Sequence, residues 1–201
     1  PISEVFQAIA SAIRVQKDNR FLEELIDATD AESNSVRQDA ITTLVELGGI
    51  KAWTRLQAIL VDLKIDSQTK QHTIKALGSS GTKVATLILM EQLTKLDEKE
   101  VAAAAAALSD ISGLDYGLDL PRWRAWWEIQ KELPDEKWLE ARLSYQSKRA
   151  KRLQSELESS RNQVLRLHQQ LFARMPAADK LGYLQSLAGD EQPLIRLQSI
   201  S

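Results

Sequence analysis

The apolar and polar positions of residues 21–48 predict two helices joined by an acidic turn. Apolar residues recur at three- and four-residue steps over residues 21–28 and again over residues 36–47, which is the spacing of one face of a helix. A short polar side chain between them is expected to accept hydrogen bonds from the first amides of the second helix; the candidates are Asp30, Ser33 and Asn34. Gly48 is expected to end that helix, because glycine tolerates the left-handed conformation common there.

The same pattern recurs downstream at a fixed spacing. Apolar stripes cover residues 53–63 and 87–96, and each precedes an aspartate turn and a second helix that ends near glycine. Equivalent positions of the first two units lie 33 residues apart, namely Ile41 and Ile74, Leu44 and Leu77, and Gly48 and Gly81. This period is typical of solenoids built from helical hairpins. We therefore predict an all-α fold in which each hairpin covers the apolar side of the next, with residues 1–17 as the second helix of a pair.

The repeated motif is an apolar helix, Asp at the turn, Val-Arg, Ala-Ile-x-x-Leu and a terminal Gly. Its best copy is Val36-Arg37-Gln38-Asp39-Ala40-Ile41, whereas the second unit has Thr69-Lys70 in place of Val-Arg. On this motif the chain resembles the HEAT-repeat family of armadillo-like helical solenoids over about 140 residues. The resemblance implies an α-α superhelix whose concave face, built from the second helix of each pair, holds a polypeptide. It does not specify the ligand, because such folds host many roles.

A tryptophan-rich segment at residues 112–133 follows the three units. It contains an Asp115-Tyr116-Gly117 turn, and Pro121 suits the first position of a helix that carries Trp123, Trp126 and Trp127. This cluster has two interpretations. It can be an end unit that covers apolar surface no further repeat buries, which is the interpretation we favour. It can also be a recognition patch in which Trp126 or Trp127 stacks on a ligand and Arg122 or Arg124 supplies charge.

A long helix is predicted over residues 135–175, between Pro134 and Pro176. Its apolar steps alternate between four and three residues, through Leu139, Leu143, Gln146, Ala150, Leu153, Leu157, Ser160, Val164, Leu167, Leu171 and Arg174. That heptad cadence is typical of a coiled coil, although Gln146 and Ser160 make it imperfect. The predicted domains are therefore a HEAT-like array at 1–133, the long helix at 135–175, and the start of a further repeat at 176–201. The last includes Asp190, Ile195-Arg196 and Ser199-Ile200.

Composition agrees with an all-α protein and argues against some functions. The chain has only 8 Gly and 5 Pro, and no β-branched alternation suggests strands. Residues 1–137 hold 16 Lys and Arg against 22 Asp and Glu, whereas residues 138–175 hold 8 against 3. A basic helix can contact nucleic acid or acidic partners, but the acidic remainder does not favour a dedicated nucleic-acid protein.

The sequence contains no recognisable catalytic constellation. There is no cysteine, and His72 and His168 are expected to be separate, exposed helix residues without a second metal ligand at helical spacing. Gly78-Ser79-Ser80-Gly81 is not a nucleophile elbow, since no strand precedes it, and no phosphate-binding glycine loop occurs. We therefore expect no enzyme activity, no cofactor and no metal.

Localisation stays open between the cytoplasm, which is slightly favoured, and a secreted or periplasmic location. No apolar run is long enough to cross a bilayer. The chain begins Pro1-Ile2-Ser3-Glu4, with neither an initiator Met nor a signal peptide. We therefore expect it to be part of a longer protein.

The function that the sequence favours is a non-catalytic protein-interaction scaffold that binds a protein or peptide. The candidate partner-binding residues are Arg37, Lys70, Lys75, Arg122, Trp126 and Trp127. One alternative is a coiled-coil assembly protein that forms a homodimer through residues 138–175. A weaker alternative is nucleic-acid binding, because HEAT-like DNA glycosylases exist.

Overall fold

The computed structural model describes residues 2–188, and this part of the chain is all-α, with no strand. Its helices are α1 (Ile2–Gln16), α2 (Leu22–Ala28), α3 (Asn34–Leu47), α4 (Ile50–Val61), α5 (Ser67–Ser80), α6 (Lys83–Gln92), α7 (Glu98–Ser112), α8 (Leu120–Gln130), α9 (Asp135–Arg174) and α10 (Ala177–Ala188). A short 3-10 turn at Asn19–Phe21 precedes α2. The prediction of an all-α protein is confirmed for these residues. The predicted repeat positions Asp190, Ile195-Arg196 and Ser199-Ile200 lie outside the described residues.

The first eight helices form two layers. In one layer α1 contacts α3, α3 contacts α5 and α5 contacts α7; in the other, α2, α4, α6 and α8 contact one another in the same order. Helices that follow each other in the chain also pack across the two layers, as α3 does with both α2 and α4. The three predicted hairpins are therefore α2–α3, α4–α5 and α6–α7, and α1 lies in the layer of the second helices.

The repeat register is also the register of the core. Ile41 and Leu44 on α3, Ile74 and Leu77 on α5, and Leu108 on α7 are all 0% exposed. Each of these helices uses the same positions to pack against its neighbours, because a helix returns to one face every three or four residues. Truncating one such leucine to alanine removes about 2–5 kcal/mol of stability.

Short polar side chains cap four of these helices, α5 to α8. Asp66 accepts a hydrogen bond from the Thr69 amide at 2.9 Å. Asp97 forms a reciprocal capping box with Glu100, whose carboxylate accepts from the Asp97 amide at 3.1 Å. Asp119 caps α8 and accepts from Arg122. Pro121 is consequently the second residue of α8 rather than the predicted first.

The predicted cap of α3 is wrong in detail. Ser33 occupies the cap position but makes no capping hydrogen bond, and Asp30 instead forms an ion pair with Arg55 of α4. A tertiary partner has replaced the local one. Gly48 does end α3. Its φ of 69° is positive, but its ψ of −157° places it outside the left-handed helical region.

The long helix α9 is anchored at its start. The chain divides into two compact units, Pro1–Gln146 and Ser147–Ser201, so the first part of α9 belongs with the two-layer array. The Trp138 indole N–H donates to the Gly81 carbonyl at 3.1 Å, and the Arg142 guanidinium donates to the Ser80 carbonyl at 2.8 Å. Both acceptors lie at the C-terminal end of α5. The sequence-based boundary at residue 134 therefore precedes the structural one by about three helical turns.

The second unit contains the remainder of α9 and α10. Tyr183 of α10 stacks on Phe172 with ring centroids 6.4 Å apart, and its hydroxyl makes a hydrogen bond to His168. Lys180 lies 4.8 Å from the centre of the Phe172 ring, and Leu187 is buried. One side of α9 is thereby covered, and His168 is half-buried rather than exposed as predicted.

Candidate partner-binding surface

A groove of about 530 Å³ lies along α5 and α7 on the layer formed by α1, α3, α5 and α7. Its polar lining comes mainly from the amide side chains of Gln38, Gln68 and Gln71, together with Lys75. Gln68 and Lys75 are exposed, and Gln38 and Gln71 are half-buried beside the stripe that includes Ile41, Ile74 and Leu77. The surface is the part of this layer that faces away from the core.

Small residues create the space. Gly78 packs so closely on α7 that a Cβ atom there would lie 2.6 Å from the Ala107 Cβ. Ala103, Ala106 and Ala107 line the groove on the α7 side. A glycine inside a helix is unfavourable by about 1 kcal/mol relative to alanine, so its presence at residue 78 is explained by this close approach. The alanines leave volume that larger side chains would fill.

His72 joins this groove to a second one. The second groove, of about 270 Å³, lies across α1, α3 and α5, and shares Gln38 and His72 with the first. The His72 Nε2 atom lies 3.1 Å from both the Gln38 carbonyl oxygen and the Thr42 hydroxyl. Since a carbonyl only accepts, Nε2 carries the proton. Burial lowers the pKa of His72, and the ring is half-buried rather than exposed as predicted.

The three predicted partner-binding residues of α3 and α5 have different environments. Arg37 donates to the Ala31 and Glu32 carbonyls at 2.8 and 2.9 Å, and it lies 3.6 Å from the Asp66 carboxylate. It therefore ties one turn to the next hairpin. Lys70 is 8% exposed, which leaves it little surface for a partner. Lys75 is exposed and lines the groove.

The charge of Lys70 is balanced inside the array. Its amino group lies 3.9 Å from the Glu100 carboxylate, and both side chains are nearly inaccessible. The pairing joins α5 to α7. Sequence reasoning missed Glu100 as a structural residue, because its partner is on another helix.

The predicted residues of the tryptophan cluster are placed mainly by packing. Trp123 is 0% and Trp127 is 6% exposed, and the Trp123 indole donates to the Gly117 carbonyl at 2.9 Å. Trp126 is half-buried, in edge contact with Trp123 at a centroid distance of 5.7 Å. Arg122 lies 3.1 Å from Asp119 and is largely exposed. These contacts agree with the end-unit interpretation and leave only Trp126 and Arg122 substantially accessible.

Sequence reasoning missed the glutamines of the groove, although a signal was present. Gln68, Gln71, Lys75 and Ser79 recur at three- and four-residue steps along α5, which is one polar helix face. Polar faces are usually only solvated, so periodicity alone does not distinguish a groove from an ordinary surface. The small residues on the neighbouring helix make the difference.

Two other kinds of functional feature are absent from residues 2–188. In that range no three potential ligands among His, Cys, Asp and Glu come together as a metal site. Among the described helices, none is both long and apolar enough to span a membrane. Comparison of the chain with known protein families, curated proteins and solved structures gave no match. The geometry of the groove is therefore the basis for a functional proposal.

Proposed function

We propose that this protein is a non-catalytic interaction scaffold of HEAT-like repeats that binds an extended polypeptide segment. The binding surface is the layer of α1, α3, α5 and α7. The observation that supports this proposal is the groove of about 530 Å³ between α5 and α7, which has amide side chains above a lining of glycine and alanine. Its continuation over α1 and α3 provides a binding path across successive helices.

The chemistry of the groove suits an extended chain. Such a chain has unpaired backbone N–H and C=O groups along its length. Glutamine side chains can both donate and accept hydrogen bonds, so Gln38, Gln68 and Gln71 can pair with either backbone group. Lys75 adds one positive charge, and the small residues Ala103 and Ala106 leave room for side chains of the bound segment.

The nucleic-acid alternative is weaker. Residues 1–137 contain 16 Lys and Arg but 22 Asp and Glu, whereas binding to phosphates depends on an excess of positive charge. Lys75 contributes a positive charge and Asp110 a negative charge to the groove, and Asp39 and Glu4 contribute negative charges to its continuation. This mixed charge is better matched to a polypeptide than to a polyanion.

A peptide library provides the test. The full chain would be immobilised and used to select binders from a library of short, unstructured peptides. The affinities of the selected peptides would then be measured. The double variant Gln68→Ala, Lys75→Glu should weaken binding at least tenfold. The matched control is Gln57→Ala, Lys51→Glu, which makes the same chemical changes on α4 in the opposite layer and should leave affinity within about twofold.

Two results would overturn the proposal. One is the selection of no peptide above background. The other is an equal loss of affinity in the groove variant and in the control, provided that both variants keep the helical circular dichroism of the parent chain. The second result would show that the selected peptides bind elsewhere.

A further inference from the structure

We propose that residues 150–171 of α9 pair with the same segment of a second copy as a parallel, two-stranded coiled coil. This interaction uses the second unit and does not depend on the groove. It assigns one occupant, another molecule of this chain, to an apolar stripe that the described structure leaves exposed.

The stripe consists of large apolar residues at heptad spacing. The exposed fractions are 51% for Leu153, 51% for Leu157, 37% for Val164, 57% for Leu167 and 52% for Leu171. These positions follow the alternating three- and four-residue steps that keep one helix face against a partner helix. Isolated exposed leucines are ordinary, but four leucines and a valine in one row along a helix are typical of an interaction surface.

The other helix of the second unit does not cover this row. Tyr183 of α10 contacts His168 and Phe172 of α9. Each of these two residues is one position further along the chain than a residue of the stripe. Successive positions of a helix are rotated by about 100°, so α10 lies beside the stripe rather than over it. Among the described residues of this unit, α10 packs on α9 without covering the stripe, so the helix of a second copy can pack there.

Charges that flank the stripe favour parallel, in-register pairing. With Leu157 and Val164 at heptad position a, Glu156 occupies position g and Arg161 occupies position e of the next heptad. In a parallel dimer each g residue lies near the e residue five positions later on the other helix. Glu156 of each copy would therefore meet Arg161 of the other, which gives two attractive pairs. In an antiparallel dimer g lies opposite g and e opposite e, and these pairs are lost.

The polar residue in the stripe supports the same register. Ser160 occupies position d, between Leu157 and Val164. In the in-register arrangement the two serine hydroxyls face each other and can form a hydrogen bond. A shift of one heptad would place each hydroxyl against a leucine. A polar core position specifies register and reduces stability, so we expect a reversible dimer that depends on concentration.

Cysteine cross-linking tests both the partner and the orientation. The chain has no cysteine, so a single substitution gives one reactive site in all 201 residues. Ser160→Cys should form an intermolecular disulfide under mild oxidation, because in-register d positions bring the same residue of two copies together. Ser155→Cys is the matched control, since the same change is made on the same helix at outward-facing position f. It should remain mostly monomeric on a non-reducing gel.

Charge exchange provides a second, independent measurement. By sedimentation equilibrium, Glu156→Arg alone and Arg161→Glu alone should each raise the dimer dissociation constant at least threefold. The double exchange should restore it to within about twofold of the parent chain.

Three outcomes would overturn the proposal. They are a monomer at all accessible concentrations, equal cross-linking at residues 155 and 160, and a dimer that shows no rescue by the double exchange. The last outcome would indicate an antiparallel dimer or a different surface. The substituted residues are exposed, so circular dichroism of each variant should match that of the parent.

Discussion

The glycine that ends α7 provides the sharpest test of how the long helix is anchored. Gly113 has a φ of +75°, and a Cβ atom at this position would lie 1.5 Å from a ring carbon of Tyr145 on α9. Gly113→Ala therefore has two costs. The left-handed conformation costs a residue with a side chain about 1–2 kcal/mol. The collision must also displace the Tyr145 ring.

The second cost depends on the free energy that the packing of Tyr145 contributes. We expect the ring to swing aside, at the cost of this half-buried aromatic contact, about 1–2 kcal/mol. The total destabilisation should then be about 2–4 kcal/mol. Gly117 is the matched control, because it has a φ of +51° and a Cβ atom added there would have nothing within 4 Å. Gly117→Ala should cost only the conformational part, about 1–2 kcal/mol.

Urea denaturation followed by tryptophan fluorescence measures these differences directly. The chain has 5 Trp, and all of them lie in the first unit, so the transition reports the array and the start of α9. In a Tyr145→Ala background, Gly113→Ala should cost about 1–2 kcal/mol less than in the parent chain, because the ring is no longer there.

If Gly113→Ala is no more destabilising than Gly117→Ala, the reasoning is refuted. Tyr145 would then not rest on the C-terminal end of α7, and the anchoring of α9 at this point would be wrong. An equal cost with and without Tyr145 would lead to the same conclusion.

Three further substitutions test the array, each by urea denaturation. Asp66→Ala removes the acceptor of the Thr69 amide and should cost about 1 kcal/mol at neutral pH. This hydrogen bond lowers the pKa of Asp66 from 3.8, so the stability that the cap contributes is present above pH 3.8 and is lost as the pH falls below it. A stability difference between the variant and the parent chain that stayed constant with pH would contradict this. Burial lowers the pKa of His72 from 6.5, so the unfolded chain binds the proton first and stability should fall as the pH decreases below 6.5. His72→Gln should make the stability less dependent on pH in this range. An unchanged pH dependence would contradict the assignment to His72. Lys70→Met leaves the buried Glu100 carboxylate without its cation and should cost about 3 kcal/mol. The double variant with Glu100→Gln should recover part of that stability. No recovery in the double variant would show that the two residues are not coupled.

The repeat register could be predicted because it depends on local chemistry. Ile41, Leu44, Ile74 and Leu77 were identified from periodicity, and all are completely buried. Hairpins that pack on their sequence neighbours need no long-range information to place such residues. The boundaries of the long helix followed in the same way from two prolines, since proline is tolerated in the first turn of a helix but interrupts its interior.

Residues with partners on other helices could not be placed from the sequence. Lys70 was proposed as a partner-binding residue, but Glu100, 30 positions later in the chain, draws it into the array. Asp30 was proposed as a cap, but Arg55 of α4 competes for its carboxylate. Charged groups interact with whichever opposite charge the fold brings near, and sequence distance does not limit that choice.

For the long helix α9, the sequence and the tertiary structure decide different features. The sequence by itself determined where α9 begins and ends and which of its faces is apolar, because backbone chemistry and helical periodicity are local. Only the tertiary structure decided that Trp138, Arg142 and Tyr145 fix its first turns to the ends of α5 and α7, and that Leu153 to Leu171 stay exposed in the second unit. Apolar burial is non-directional, so an amphipathic pattern specifies the surface to be covered and leaves its partner to the fold.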